Sequence, residues 1–408
     1  MGRVALCHSR AGGNPIAGSM PSTLLALLQF FFALTWVVYV IYLPALAADV
    51  GIDRRYVPMI LMMDQVIFLA CDWAAGMYAD RVARTFGRIG GTMAIATLVS
   101  CGAFILLPLI APWASKSLFL FLTILWSVTS SALRAPPFAI VSRHANAASQ
   151  PWVACSYLFG LGLASALAPY IAIDLRQLDP RIPFALSSVG LALFALALAR
   201  AELTHATGPS TEFAASTSAP ARPPILLFAV VLLLLAFGYQ VHFAINSSPS
   251  YLRFANKEDL PLLMPVFWIG FNIALVPATL LAKRFSGAAV MVGASVAGVA
   301  ALAACAYAPS LTLLVVAQGF AGAAWCIVMT SAFTAALEAG KPGREGLFTG
   351  TLFSMLAAAA LARLAIITYE ISSGANIPAQ QLDIVPFMAW ALAAFLVAAI
   401  AFPDRKKA

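Results

Sequence analysis

"GMYADRVARTFGR", residues 76–88, sets four charged side chains and two glycines between strongly apolar segments. In a chain that folds in water this would be an ordinary surface turn. The segments on either side are each long enough to cross a bilayer, for which about 20 apolar residues suffice. The stretch is therefore expected to be a short loop at a membrane face, and the rest of the chain is organised around that reading.

Composition agrees. Of 408 residues, 62% are hydrophobic and 10% charged, and the mean hydropathy is +0.92. Soluble domains carry about a quarter charged residues, so a water-soluble fold is excluded. The net charge of +8 is dispersed singly and in pairs between apolar runs. It reads as a topology signal, and nucleic acid is not an expected partner. Five of the six cysteines (Cys71, Cys101, Cys155, Cys305 and Cys326) lie inside apolar segments and show no metal or redox spacing. There Cys acts as a small hydrophobe; neither a disulfide framework nor a metal or cofactor site is expected.

Twelve stretches qualify as membrane helices: 22–47, 57–79, 91–112, 117–141, 151–173, 182–200, 224–246, 261–282, 288–308, 311–337, 347–371 and 384–402. Residues 1–20 are polar and glycine-rich, lacking the apolar core of a signal peptide. They read as a flexible tail or as an over-called start ahead of initiation at Met20. Residues 201–223 are rich in Ser, Thr, Ala and Pro and read as a linker. The expected plan is an all-α polytopic membrane protein with six-helix bundles at 21–200 and 224–404, a cytoplasmic linker between them, and a basic cytoplasmic tail at 405–408.

Orientation follows from the 24 Lys and Arg residues. With the N-terminus in the cytoplasm, fifteen fall on inner loops and seven on outer ones, leaving Arg134 and Arg363 inside helices. This puts both termini in the cytoplasm. The halves also echo each other. An offset of 203 residues lays Pro58 on Pro261, Ala79 on Ala282 and Arg81 on Arg284, as expected of a transporter built from two repeats.

On these features Gly76-x-x-x-Asp80-Arg81 followed by Gly87-Arg88, after the second helix of a six-linker-six chain, resembles the signature of the major facilitator superfamily. The longer spacing Asp72…Gly76…Asp80…Gly87-Arg88 is similar to that of the glycoside–pentoside–hexuronide:cation symporters, although Trp73 stands where their proline usually follows the first Asp. The resemblance implies a solute carrier without catalytic residues, working by alternating access and coupled to a proton or another cation. Gly76 and Gly87 would allow close approach. Asp80 would sit against the positive end of the helix opening at "GREGLFTG" in the other half, with Arg81 and Arg88 meeting Glu338 or Glu345. A solvated loop obeying the positive-inside rule is the plain alternative. Lys283 occupies the place of Asp80 in the second half, so the latch is asymmetric.

Ionisable groups at membrane depth are costly unless paired or hydrated. Asp72 and Arg134 each lie seven residues from the cytoplasmic end of their helices; Asp64 and Arg363 lie seven and eight from the outer ends, all roughly 10 Å deep. The resemblance sets helix 2 beside helices 4 and 11, which implies the pairs Asp72–Arg134 and Asp64–Arg363. The first would lie within one bundle; the second would bridge the two as an outer gate. Fixed structural pairs are the simpler alternative, and Arg363 binding a substrate anion is the alternative if the second pair does not form. "RAPPF" at 134–138 predicts a kink beside Arg134. Tyr39, Gln240, His242, Asn272 and Gln318 are candidates to line a cavity, as are the aromatic rings of Tyr42, Trp126, Tyr157 and Trp325; helix packing explains the same residues.

The favoured function is secondary transport of a small solute, with symport at a bacterial inner membrane as the leading form. A proton-driven drug or metabolite exporter is the alternative, and a non-transporting sensor or assembly factor on the same fold is the third class. No P-loop pattern indicates ATP drive, and no HExxH motif or buried nucleophile–base pair indicates an enzyme.

Overall fold

The computed structural model describes residues 22–86, 88–143, 149–175, 177–205, 225–340, 343–373 and 379–401. The N-terminal tail, most of the linker, the basic C-terminal tail and Gly87 lie outside these residues.

Every described element is helical. The first half contains α1 (Ser22–Asp49), α2 (Val57–Phe86), α3 (Gly90–Ile110), α4 (Lys116–Ser130), α5 (Ala135–Arg143), α6 (Gln150–Leu175) and α7 (Arg181–His205). The second contains α8 (Ile225–Val241), α9 (Ser247–Leu252), α10 (Leu260–Leu263), α11 (Pro265–Arg284), α12 (Gly287–Ala306), α13 (Leu311–Gly340), α14 (Glu345–Ser373) and α15 (Ala379–Ala401). Among the described residues eleven helical stretches are long and apolar enough to cross a membrane, and Leu382–Ala398 within α15 is a shorter apolar helix. The chain is an integral membrane protein.

Two boundaries differ from expectation. α2 runs through "GMYADRVARTF" to Phe86, so the stretch expected as a loop is mostly helix. Ala79 and Ala83 are strong helix formers, and the charges follow the same helix out of the apolar zone. α7 continues to His205, into the stretch read as linker, because Glu202 finds partners there.

The fourth span is broken where the prolines require it. α4 ends at Ser130, a 3-10 turn covers Ser131–Leu133, and Arg134 leaves helical geometry at φ −102°, ψ −81°. Pro136 and Pro137 then sit in the first turn of α5, where a missing N–H costs nothing. In the seventh span a π turn, His242–Asn246, precedes α9. Pro249 cannot donate to the carbonyl four residues back, and the wider turn absorbs the fault.

An offset of 203 residues carries Ser22–Asp49 onto Ile225–Leu252, and the 3-10 turn Arg54–Tyr56 onto Lys257–Asp259. Packing follows the halves. α1 lies against α6 and α7, and α3 against α4 and α7; α11 and α12 lie against α13, and α8 against α14 and α15. The main crossings between halves are α2 on α14, and α6 on α11 and α13.

Candidate functional site

The α2–α14 seam is built from glycines. A Cβ on Gly76 would overlap the carbonyl oxygen of Gly346, and one on Gly346 would overlap that of Gly76. Gly350 faces Asp72 in the same way, its added Cβ lying 2.7 Å from the Asp72 carbonyl oxygen. Without side chains the two backbones meet. One turn further along α2 stands Asp80, 3% exposed. Its Oδ1 accepts from the N–H of Gly346 and its Oδ2 from that of Leu347, both at 2.8 Å. These are first-turn donors of α14, which lack partners within their own helix, and the carboxylate also meets the positive end of the helix dipole. Arg81 and Arg88 are exposed. Among the described residues neither pairs with Glu338 or Glu345; the Glu345 carboxylate accepts locally from the N–H of Gly343 at 3.1 Å. The expected arginine contacts do not form: Arg81 stands exposed near the end of α2 and Arg88 stands exposed beyond it.

Within the span, the Asp72–Arg134 pair is present. Arg134 Nη1 donates to Asp72 Oδ2 at 2.7 Å, with Asp72 fully buried. The guanidinium also lies 3.8 Å from the centre of the Phe68 ring and 5.5 Å from that of Phe32. The helix break at Arg134 turns this side chain toward α2, and the aromatic faces supply the solvation that water would otherwise give.

The second expected pair is absent. Asp64 is fully buried and accepts from the Tyr39 hydroxyl at 2.8 Å and from Ser127 Oγ at 2.7 Å. Both donors belong to its own half. The reason is rotation about the helix axis. Met62 on α2 accepts a contact from Thr368 of α14 at 3.6 Å, and Asp64, two residues on, is turned by about 200° at 3.6 residues per turn. Equal depth set Asp64 and Arg363 level, but α2 shows α14 its other face. Arg363 is half-buried, its Nε is enclosed without a hydrogen-bond partner, and it lies within electrostatic reach of Tyr239.

The remaining polar candidates are held by packing. Tyr39, His242 and Gln318 are 0%, 4% and 1% exposed. His242 Nε2 and Gln318 Oε1 are 3.0 Å apart; Gln318 Nε2 donates to Ser247 Oγ, which donates to the His242 carbonyl, the same oxygen that accepts the Ser247 N–H in the π turn. Asn272 Nδ2 donates to the Trp268 carbonyl at 2.7 Å, on the α11 face that meets Gly162 of α6. Gln240 is half-buried. Of the expected aromatic rings, Tyr42 donates to the Leu175 carbonyl and Tyr157 packs on Phe138, Phe333 and Phe353.

The offset of 203 also organises the interior. It maps Trp36 onto Tyr239 and Tyr39 onto His242. Trp36 stacks on Trp126 at 6.2 Å, and Tyr239 stacks on Trp325 at 4.5 Å with planes 7° apart. It also maps Asp64 onto Phe267, whose ring lies 6.0 Å from that of His242. Each half therefore has an aromatic pair between its first and fourth spans, but the acid exists in only one.

Sequence reasoning missed Ser127, Tyr239 and Glu202. Glu202 is 4% exposed and accepts from the N–H of Ile89 at 3.1 Å and of Gly90 at 2.6 Å, capping α3. An acid at the end of an apolar run, with a Gly-Gly helix start elsewhere in the same half, was its only signal.

No protein-family model matches this chain, and no curated protein does. Solved structures do. The human organic anion transporter MFSD10 is 15% identical with a TM-score of 0.69, covering 92% of this chain and 98% of its own. FucP, a major facilitator superfamily transporter in an outward conformation, is 14% identical with a TM-score of 0.64 over 93% and 98%. A bacterial homologue of the iron transporter ferroportin, in an outward-facing state, is 14% identical with a TM-score of 0.68 over 92% and 98%. Near-complete coverage on both sides leaves one conclusion about architecture: this chain has the fold of the major facilitator superfamily.

Proposed function

We propose that the protein is a secondary active transporter, carrying a small solute between two six-helix bundles by alternating access. Twelve spans, with both termini and the linker in the cytoplasm, complete that plan. The observation that carries the reading is the α2–α14 seam. A carboxylate of one half caps a helix of the other, beside glycines that let the two backbones touch. Such a contact is strong while closed and is lost as a unit once the halves rock apart.

Coupling is assigned to a proton at Asp64. Asp72 already faces a cation in Arg134, whereas both partners of Asp64 are neutral hydroxyls. A proton on Asp64 would neutralise a charge that no cation among the described residues pairs with. Its release and uptake would then differ between the two access states as the rocking halves open and close the path from Asp64 to water on either side.

The test is flux through purified full-length protein in proteoliposomes holding a pH-sensitive dye. A gradient of a transported solute should move protons, and a protonophore should abolish accumulation while sparing exchange. No solute-dependent flux across a panel of sugars, carboxylates, amines and amino acids would set the reading aside.

A further inference from the structure

Arg363 is the membrane-embedded cation that the proposed coupling does not use. Among the described residues it pairs with no carboxylate. Asp64, the acid at matching depth, has committed each oxygen to a hydroxyl of its own half. The Nε of Arg363 is enclosed with no acceptor, an arrangement that is expensive within a membrane protein unless an acceptor arrives. The ring it senses electrostatically belongs to an aromatic cluster. Tyr239, within electrostatic reach of Arg363, stacks on Trp325 and lies 5.9 Å from Phe243 and 5.7 Å from Phe267, ring centre to ring centre.

We infer that Arg363 receives the anionic group of the substrate, and that the substrate is an organic anion with an apolar or aromatic body. A guanidinium offers a planar fork that matches a carboxylate or sulfonate and stays charged at any working pH. An apolar body would lie against the face that Tyr239 heads. The two halves would then share the task, the first through Asp64, held by hydroxyls, and the second through Arg363, whose Nε has no acceptor. This assignment rests on the transporter reading, whose substrate class it names.

The test is binding to the purified full-length protein in neutral detergent, where no gradient or flux is needed. The probes are benzoate, 1-naphthoate and octanoate, each against its uncharged amide. The acids should raise the melting temperature by roughly 2–4 °C at saturation and the amides should not. Arg363→Gln should abolish the acid effect, and Arg363→Lys should retain part of it. Equal stabilisation by amides, no stabilisation by any acid, or an undiminished acid effect in a folded Arg363→Gln variant would overturn the proposal. If Arg363→Gln does not fold, the acid–amide contrast in the unsubstituted protein decides. A lipid phosphate is the other anion available to a membrane arginine; stabilisation by phosphatidylglycerol alone, lost in Arg363→Gln, would also overturn it. Acid binding without any flux in proteoliposomes would retire transport and leave the anion site, whereas flux without preference for acids would do the reverse.

Discussion

Asp80 Oδ1 accepts a 2.8 Å hydrogen bond from the backbone N–H of Gly346, 266 residues further along the chain. With the matching bond from Leu347, one carboxylate satisfies two orphan donors of α14 from the opposite half. Bonds to a charged acceptor contribute about 1.5–3 kcal/mol each, so this contact alone can bias an equilibrium between closed and open states by tenfold or more. Asp80→Asn, which keeps one acceptor and loses the charge, should shift the protein toward opening at this end. Spin labels at the exposed positions Arg84 and Arg344 should then report a longer distance, with transport reduced at least severalfold. An unchanged distance distribution together with normal turnover would leave Asp80 as a simple helix cap.

Gly76 tests the same seam by volume. Its Cβ would land on the Gly346 carbonyl, and backbone cannot move aside as a flexible side chain can. Gly76→Ala should cost about 1–3 kcal/mol and lengthen the same label distance. Gly91, whose added Cβ meets nothing within 4 Å, is the control. Gly91→Ala should melt within about 0.5 kcal/mol of the parent protein. Equal behaviour of the two variants would remove the close-packing argument.

Those two residues show what was readable in advance. Asp80 and Gly76 were legible because the motif stands at one end of a span, and because "GREGLFTG" marks a helix start at the same membrane face. Asp72–Arg134 was legible because depth, charge and the helix break all converge on one contact. Asp64–Arg363 misled because residue counting measures height along an axis and not rotation about it. The Met62–Thr368 contact fixes that rotation, and nothing polar in the sequence marks it. Glu202 was lost at the boundary where helix composition fades into Ser, Thr and Pro; its role depends on Ile89 and Gly90, more than a hundred residues earlier.

Asp72 and Arg134 form a buried pair, for which removing one partner costs about 3–5 kcal/mol. Asp72→Asn and Arg134→Gln should each lower the melting temperature substantially. The double variant Asp72→Leu with Arg134→Met should recover most of the loss, because an apolar pair of similar volume replaces two desolvated charges. Thermal unfolding in detergent decides the point. If the double variant is as unstable as the sum of the singles, the two residues act independently.

Glu202 stabilises the start of α3 rather than the seam. Glu202→Ala strands the N–H groups of Ile89 and Gly90, at a cost of about 1–3 kcal/mol. The Arg84–Arg344 label distance should stay as it was while the melting temperature falls. A change in that distance would draw Glu202 into the conformational switch.

Asp64 separates coupling from architecture. Its partners are Tyr39 and Ser127, so Asp64→Asn preserves the shape of the site while removing the group proposed to carry the proton. The variant should still exchange solute across a proteoliposome membrane, but it should no longer accumulate solute in response to a proton gradient. Tyr39→Phe should weaken accumulation less, since Ser127 still holds the carboxylate. Arg363 enters as the contrast. Because it is not bonded to Asp64, the stability effects of Asp64→Asn and Arg363→Gln should add to within about 0.5 kcal/mol. A double variant that is more stable than either single would show that the two charges meet in a state of the transport cycle other than this one. Gradient-driven accumulation by Asp64→Asn at the parental level would take the coupling proton away from this residue altogether.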